Sequence, residues 1–173
     1  MSLSARTAGF SVRSLYLQSF PKEERFSFLF LKILACTKAS RFLAYYDGES
    51  LAGISFTIEG ERMVFLLYMA VSPSLQSRGY GTEILEYLKE QYKKPITLNA
   101  EPRDDDSENA DERSRRFAFY ERNGFSDTGY VLQDTKMTYT VLSSAKKFAI
   151  EDYYGALLGL HPKGIGMPKI RKR

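Results

Sequence analysis

Phe26, Leu29, Phe30, Ile33 and Leu34 recur at i, i+3, i+4, i+7 and i+8, a spacing that predicts an amphipathic helix. Pro21 suits the first turn of that helix, and Glu23 and Glu24 complement its positive end. Residues 11–20 predict an earlier short helix ended by Pro21, whereas residues 1–10 carry little pattern. Two runs, 42–46 and 51–58, predict strands joined through Asp47-Gly48, a hairpin signal. A tight turn around Glu59-Gly60 then leads to a long apolar strand over 63–71. Residues 82–93 predict a helix with Ile84, Leu85, Leu88 and Tyr92 on one face. A short buried strand over 96–100, a helix over 112–123, two antiparallel strands over 129–133 and 136–142, and a terminal helix over 146–159 complete the pattern. This order predicts an α/β fold with a mostly antiparallel sheet. Strands 63–71 and 96–100, joined by a helix, are expected to run parallel through a right-handed crossover.

The segment Val71-Ser72-Pro73-Ser74-Leu75-Gln76-Ser77-Arg78-Gly79-Tyr80-Gly81-Thr82 carries the chemistry. Gly79 and Gly81 lack side chains, so a phosphate can approach the peptide groups closely. The first amides of the following helix point outward, unpaired and partly positive, which makes the turn an anion site. A dinucleotide fingerprint needs a third glycine at position 84, which is Ile84. A P-loop needs Gly-Lys-Ser/Thr, and Gly81-Thr82 has no lysine between. What remains is Gln-x-x-Gly-x-Gly after a strand ending in Val-x-Pro, which resembles the pyrophosphate loop of the GNAT superfamily of N-acetyltransferases. Phe117-Ala118-Phe119-Tyr120-Glu121-Arg122-Asn123-Gly124-Phe125 resembles the Tyr-x-x-x-Gly-Phe signature of the same superfamily. Tyr120 lies 39 residues after Gly81, the interval for one helix, one strand and a second helix. Gly124 stands where a left-handed helix cap is needed.

The resemblance covers about residues 40–140. It implies a GNAT-like fold: a mixed, mostly antiparallel central sheet flanked by helices, with two central strands splayed to form a cofactor cleft. The superfamily begins with a strand before its first helix, and residues 1–10 show little of one. The implied activity is acetyl-CoA-dependent N-acetyl transfer to a small primary amine or a peptide or lysine amine, by direct attack in a ternary complex. By the resemblance, Gln76, Ser77, Arg78, Gly79, Tyr80, Gly81 and Thr82 bind the pyrophosphate. Met69, Ala70 and Val71 offer peptide groups to the pantetheine arm, and the Met69 amide stabilises the oxyanion. Tyr120 matches the superfamily's general acid, a phenol that keeps its proton at neutral pH and can pass it to a thiolate. Phe117 and Tyr120 also share a helix face on which aromatic residues pack into a core, so a positioning role stays open. No carboxylate or histidine lies near the exit of strand 63–71, which leaves Glu101, just after strand 96–100, as candidate base acting through water. A surface or capping glutamate is the competing reading. Phe20 and Glu24 fall on the acceptor wall as substrate-binding candidates. Arg113 and Arg116 stand where many relatives carry Asn and Ala; Arg115 and Arg116 either neutralise the preceding acidic loop or touch cofactor.

Composition trims the alternatives. At 173 residues the chain is one domain's worth, read as a single N-acetyltransferase domain over 1–162 and a basic, mobile tail over 163–173. Cys36 is the single cysteine, which excludes a disulfide framework and predicts a reducing, cytoplasmic setting; its place in an apolar run reads as a small core residue. No signal peptide or membrane-length apolar stretch is visible. Asp104, Asp105, Asp106, Glu108, Asp111 and Glu112 lack calcium-loop spacing, so the loop is read as solvated and no metal is expected. His161, the one histidine, lies beside Pro162 and has no assigned chemistry. The pI near 9.1 invites a nucleic-acid reading. Yet Lys163, Lys169, Arg171, Lys172 and Arg173 outweigh the whole chain's net +4, leaving the rest near −1. Two rivals therefore stand beside the enzyme: a non-catalytic CoA-binding regulatory module, and a nucleic-acid-associated protein using the basic tail. A homodimer is left open.

Overall fold

Strand β1 (Leu3–Thr7) pairs antiparallel with β2 (Ser40–Asp47), from Leu3 opposite Asp47 to Thr7 opposite Leu43. The weak pattern of residues 1–10 left this first strand open, and it is present. Only Leu3 and Ala5 turn partly inward while Ser4, Arg6 and Thr7 face solvent, so the free edge of β2, more than local propensity, makes the strand. The structure, a computed structural model, describes residues 3–103, 109–134, 137–160 and 167–173. Contacts group the chain into two units. One combines Met1–Glu59 with Leu66–Lys93, and the other combines Gly60–Phe65 with Lys94–Arg173.

In the first unit the strands lie in the order β1, β2, β3 (Ser50–Glu59) and β4 (Val64–Val71), whose last six residues belong to this unit. The β2–β3 hairpin turns at Gly48, whose φ of 59° is left-handed, as its Asp-Gly pair predicts. A 3-10 turn (Phe10–Val12) enters α1 (Arg13–Ser19), and α3 (Tyr80–Tyr92) follows β4. Ile84, Leu85, Leu88 and Tyr92 are buried, as their spacing predicts. Gly53 permits that packing: a Cβ there would stand 2.5 Å from the Ala70 carbonyl oxygen and 2.8 Å from Ile84 Cδ1. An aromatic cluster forms the opposite layer, with Phe28 and Phe56 at 5.7 and 5.5 Å from Phe42 and the Tyr16 ring 5.2 Å from Tyr68.

Helix α2 (Phe28–Leu34) departs from the expected stripe. Ser27 caps it, its hydroxyl accepting from the Phe30 amide at 3.1 Å, so the helix begins seven residues after Pro21. Phe28 and Leu31 turn inward, while Leu29, Phe30 and Ile33, three of the five expected core positions, are exposed. The segment is apolar on more than one face, and contact with Phe42 and Tyr16 selects the Phe28 side. Cys36 follows the helix and is exposed, which corrects its reading as a core residue.

In the second unit the first residues of β4 neighbour β5 (Ile96–Ala100), followed by β7 (Thr138–Ser143), β6 (Ser126–Gln133) and β8 (Lys169–Lys172). The β5–β7, β6–β7 and β6–β8 pairs are antiparallel. Helices α4 (Ala110–Arg122) and α5 (Ile150–Leu157) complete the unit. Its core holds Phe65, Leu98, Phe117, Phe125, Leu142 and Tyr153. Together the elements make an α/β fold with a mostly antiparallel eight-stranded sheet and flanking helices. Residues 169–172, part of the basic tail in the sequence reading, form strand β8. The open edge of β6 offers unpaired peptide groups, and lysine and arginine are well tolerated on such an edge. His161 and Lys163, like Asp104, Asp105, Asp106 and Glu108, lie outside the described residues. Among the described residues no helix is long and apolar enough to cross a membrane.

Candidate functional site

In the first unit, the chain leaves β4 at Val71 and is pinned at once to β3. The Ser72 amide donates to the Ala52 carbonyl at 2.9 Å, and the Ser72 hydroxyl donates to the Leu51 carbonyl. A 3-10 turn (Pro73–Leu75) follows, and the Gln76 amide side chain reaches back to the Val71 carbonyl at 3.3 Å. Ser77 (φ 61°) and Gly79 (φ 90°) are both left-handed. Alternating hands over consecutive residues turns peptide N–H groups toward one side, the geometry of an anion-binding nest. Residues 76–79 are exposed.

Gly79 caps α3 without a side chain to fill the cap, and the helical ladder begins with the Glu83 amide donating to the Gly79 carbonyl at 3.1 Å. The amides of Tyr80, Gly81 and Thr82 come ahead of that ladder and stay available to an anion. Both ends of α3 are fixed. The Tyr80 phenol donates to the Asp47 carboxylate, while the Tyr92 hydroxyl shares a 2.6 Å bond with Thr57 and its ring lies under the Arg41 guanidinium. The turn is thus exposed, anchored through the helix it opens, and able to receive an anion. Met69 and Val71 share the half-buried face of β4, and Ala70 turns to the buried one.

Phe20 and Glu24 lie in the same unit, on the segment between α1 and α2. Their organiser is Tyr68 on β4. Its hydroxyl donates to the Glu24 carbonyl at 2.9 Å and accepts from the Phe26 amide at 3.0 Å, and its ring stands 4.7 Å from that of Phe20. Burial pushes the Tyr68 phenol up from its ordinary value, so it holds its proton for that bond. Arg25 tightens the segment further by donating to the carbonyls of Leu17 and Phe20 at 2.8 and 3.0 Å. Tyr68 and Asp47 escaped the sequence reading; the alternation of β4 was a signal for the first, and nothing local pointed to the second.

In the second unit, Glu101 follows β5 and meets two arginines from α4. One oxygen accepts from Arg113 at 3.0 Å and the other from Arg116 at 3.1 Å. Arg116 also reaches Glu112 at 2.7 Å. The carboxylate is largely buried, with 13 % of its side chain accessible. It is held from both sides, the arrangement of an anchored anion. Tyr120 lies one turn beyond Arg116 on α4, half-buried, with its ring 5.2 Å from Phe119 and 5.7 Å from Phe125. Its hydroxyl makes no hydrogen bond among the described residues. Burial pushes the phenol up from its ordinary value, and the Arg116 guanidinium opposes that rise. Its carbonyl accepts the Phe125 amide at 3.0 Å while Gly124, φ 81°, makes the left-handed cap its motif predicts. Asp111 and Glu112 occupy the first turn of α4, complementing its positive end as expected.

Residues 10–125 match the acetyltransferase (GNAT) family. No curated protein matches the sequence. Among solved structures, one described as a GNAT-family acetyltransferase from Bacteroides thetaiotaomicron is 22 % identical with a TM-score of 0.70, covering 94 % of this chain and 97 % of that one. The ribosomal-protein-S18-alanine N-acetyltransferase from Escherichia coli is 15 % identical with a TM-score of 0.60, covering 86 % and 96 %. The PaiA N-acetyltransferase from Thermoplasma acidophilum, solved in complex with coenzyme A, is 18 % identical with a TM-score of 0.58, covering 86 % and 100 %. At these identities the structural likeness speaks to the fold.

Proposed function

Because the chain belongs to the acetyltransferase (GNAT) family, we propose that it uses acetyl-CoA to acetylate an amine, by direct attack within a ternary complex. The observation that carries this reading is the open turn from Gln76 to Thr82, with left-handed Ser77 and Gly79 and the uncapped start of α3. In the proposal the amides of this turn hold the diphosphate, with Arg78 adding charge at its exposed rim. Peptide groups of Met69, Ala70 and Val71 line the pantetheine arm, and the Met69 amide stabilises the tetrahedral oxyanion. Tyr120, its hydroxyl otherwise unengaged, gives its proton to the departing thiolate.

Phe20 and Glu24 border the acceptor, a small primary amine or a peptide or lysine amine. Glu101 is our candidate for taking the amine's proton. Both of its oxygens are already engaged, so the transfer runs through a water on a remaining lone pair. The acceptor named for the Escherichia coli neighbour does not transfer at 15 % identity. A cytoplasmic setting accords with an exposed, unpaired Cys36.

The clamped state of Glu101 favours one second reading, a CoA-binding module without catalysis. Pairing of Lys169–Lys172 with β6 leaves less of the basic segment for nucleic acid. Calorimetry with acetyl-CoA, using the wild type and Gly81→Glu, tests the site; saturable binding is expected, lost when bulk and negative charge meet the phosphate. Thiol release across an amine panel tests the reaction. Binding without release for any amine supports the second reading, and no binding at all overturns both.

A further inference from the structure

Helix α2 satisfies its own fold with one face and leaves another unused. Phe28 and Leu31 are buried, yet Leu29 is 61 % exposed, Ile33 62 % and Phe30 37 %, and Phe10, whose ring packs 5.8 Å from that of Phe28, is 68 % exposed. Leu29 and Ile33 are four residues apart and form one row along the helix, flanked by Phe30. The only cation within the helix does not interrupt the row, because the Lys32 ammonium donates to the Ala8 carbonyl. Four large apolar side chains are thus grouped at α2 and the turn before α1.

We propose that this face is a twofold interface through which two copies of the chain associate. The four side chains present about 400 Å² of apolar surface, the size of the largest patch on an ordinary monomer, which is often a functional one. Two such patches face to face remove about 800 Å². With homodimer interfaces roughly two-thirds apolar, that implies about 1,200 Å² in total, the lower edge of what a specific interface needs. A twofold axis through the Leu29–Ile33 row sets the row against its own copy and requires no further complementary surface. Its i, i+4 spacing is the ridge that helix pairs interdigitate.

A membrane fits less well. The helix has seven residues, roughly 10 Å of length, and its flanking exposed charges, Lys22, Glu23 and Lys38, include an acid where anionic lipid asks for a wholly basic rim. The small area predicts a dimer that dissociates on dilution.

Sedimentation velocity of the full chain across the micromolar range tests the proposal. The mass is expected to rise with concentration from 19.8 kDa toward twice that value. The double variant Leu29→Glu, Ile33→Glu is expected to raise the dissociation constant at least tenfold. Leu158→Glu, at the half-exposed C-cap of α5, is expected to leave it unchanged. Both substituted α2 residues face solvent, and unchanged circular dichroism checks the fold; Ile33→Ser alone gives the same direction with a milder change. The proposal is overturned by a wild type that stays at 19.8 kDa at the highest concentration, by a double variant that associates as tightly, or by an equal loss with Leu158→Glu. Vesicle binding of the wild type that the double variant lacks, without self-association, overturns it in favour of lipid.

Discussion

Tyr80, the first residue of α3, donates its phenol to Asp47 at the tip of the β2–β3 hairpin. A residue inside the turn proposed to hold phosphate is thereby fastened to a strand end 33 positions earlier. The bond also pushes the Tyr80 phenol up from its ordinary value, so it stays a donor throughout the physiological range. Tyr80→Phe removes the tie but keeps the ring. Acetyl-CoA affinity is expected to fall by about tenfold or more, the scale of one hydrogen bond to a charged group. Calorimetry reads this directly, and an unchanged dissociation constant would separate the turn's order from Asp47.

Tyr120→Phe is expected to lower kcat by about a hundredfold, a typical contribution for a positioned acid, while acetyl-CoA affinity holds. Its raised phenol pKa keeps the proton in place below pH about 10, so no alkaline limb from Tyr120 is expected under that value. Equal turnover in the variant would return Tyr120 to a packing role beside Phe119 and Phe125.

Glu101→Gln tests a residue with two assignments. Loss of the shared anion leaves Arg113 and Arg116 without it and is expected to cost about 1–3 kcal/mol of stability, read from urea midpoints. If Glu101 also takes the amine's proton, kcat falls as well. A destabilised variant with full turnover would make Glu101 purely an anchor.

Alkaline pH is expected to unfold the protein through its buried tyrosines. Burial pushes the phenols of Tyr16, Tyr45 and Tyr153 far above their ordinary value. A folded pKa raised above the unfolded one means the folded state keeps a proton that the unfolded state releases, so stability falls as pH rises. That contribution is complete below pH about 10 and declines above it. Urea midpoints flat to pH about 10 and falling beyond, together with late tyrosinate absorbance, are the expected results; midpoints that stay level would show these phenols ionising freely in the folded state.

The shape of the turn at 72–82 was legible in the sequence because Gly79 and the apolar spacing of the following helix fix where the helix starts. The cap at Gly124 and the hairpin at Gly48 were legible for the same reason, since a left-handed φ selects a residue type. The buried face of α2 was not, because both candidate faces are apolar and only Phe42 and Tyr16 choose between them. Strands β1 and β8 were not legible because edge strands take their order from a neighbour: Leu3–Thr7 offers two inward residues, and Lys169–Lys172 reads as solvated charge until β6 pairs with it. The bonds from Glu101 to Arg113 and Arg116 span 12 and 15 residues, beyond any local pattern.

Tyr68 bears on how this protein can be re-engineered. One phenol grips two peptide groups of the segment carrying Phe20 and Glu24, and the next residue along the strand is Met69. Grafting a foreign loop over positions 20–27 would strand that hydroxyl inside the fold and loosen the strand that bears it. Under the proposed function this joins the acceptor wall to the donor strand mechanically, and a transplant succeeds only if it brings its own partner for position 68.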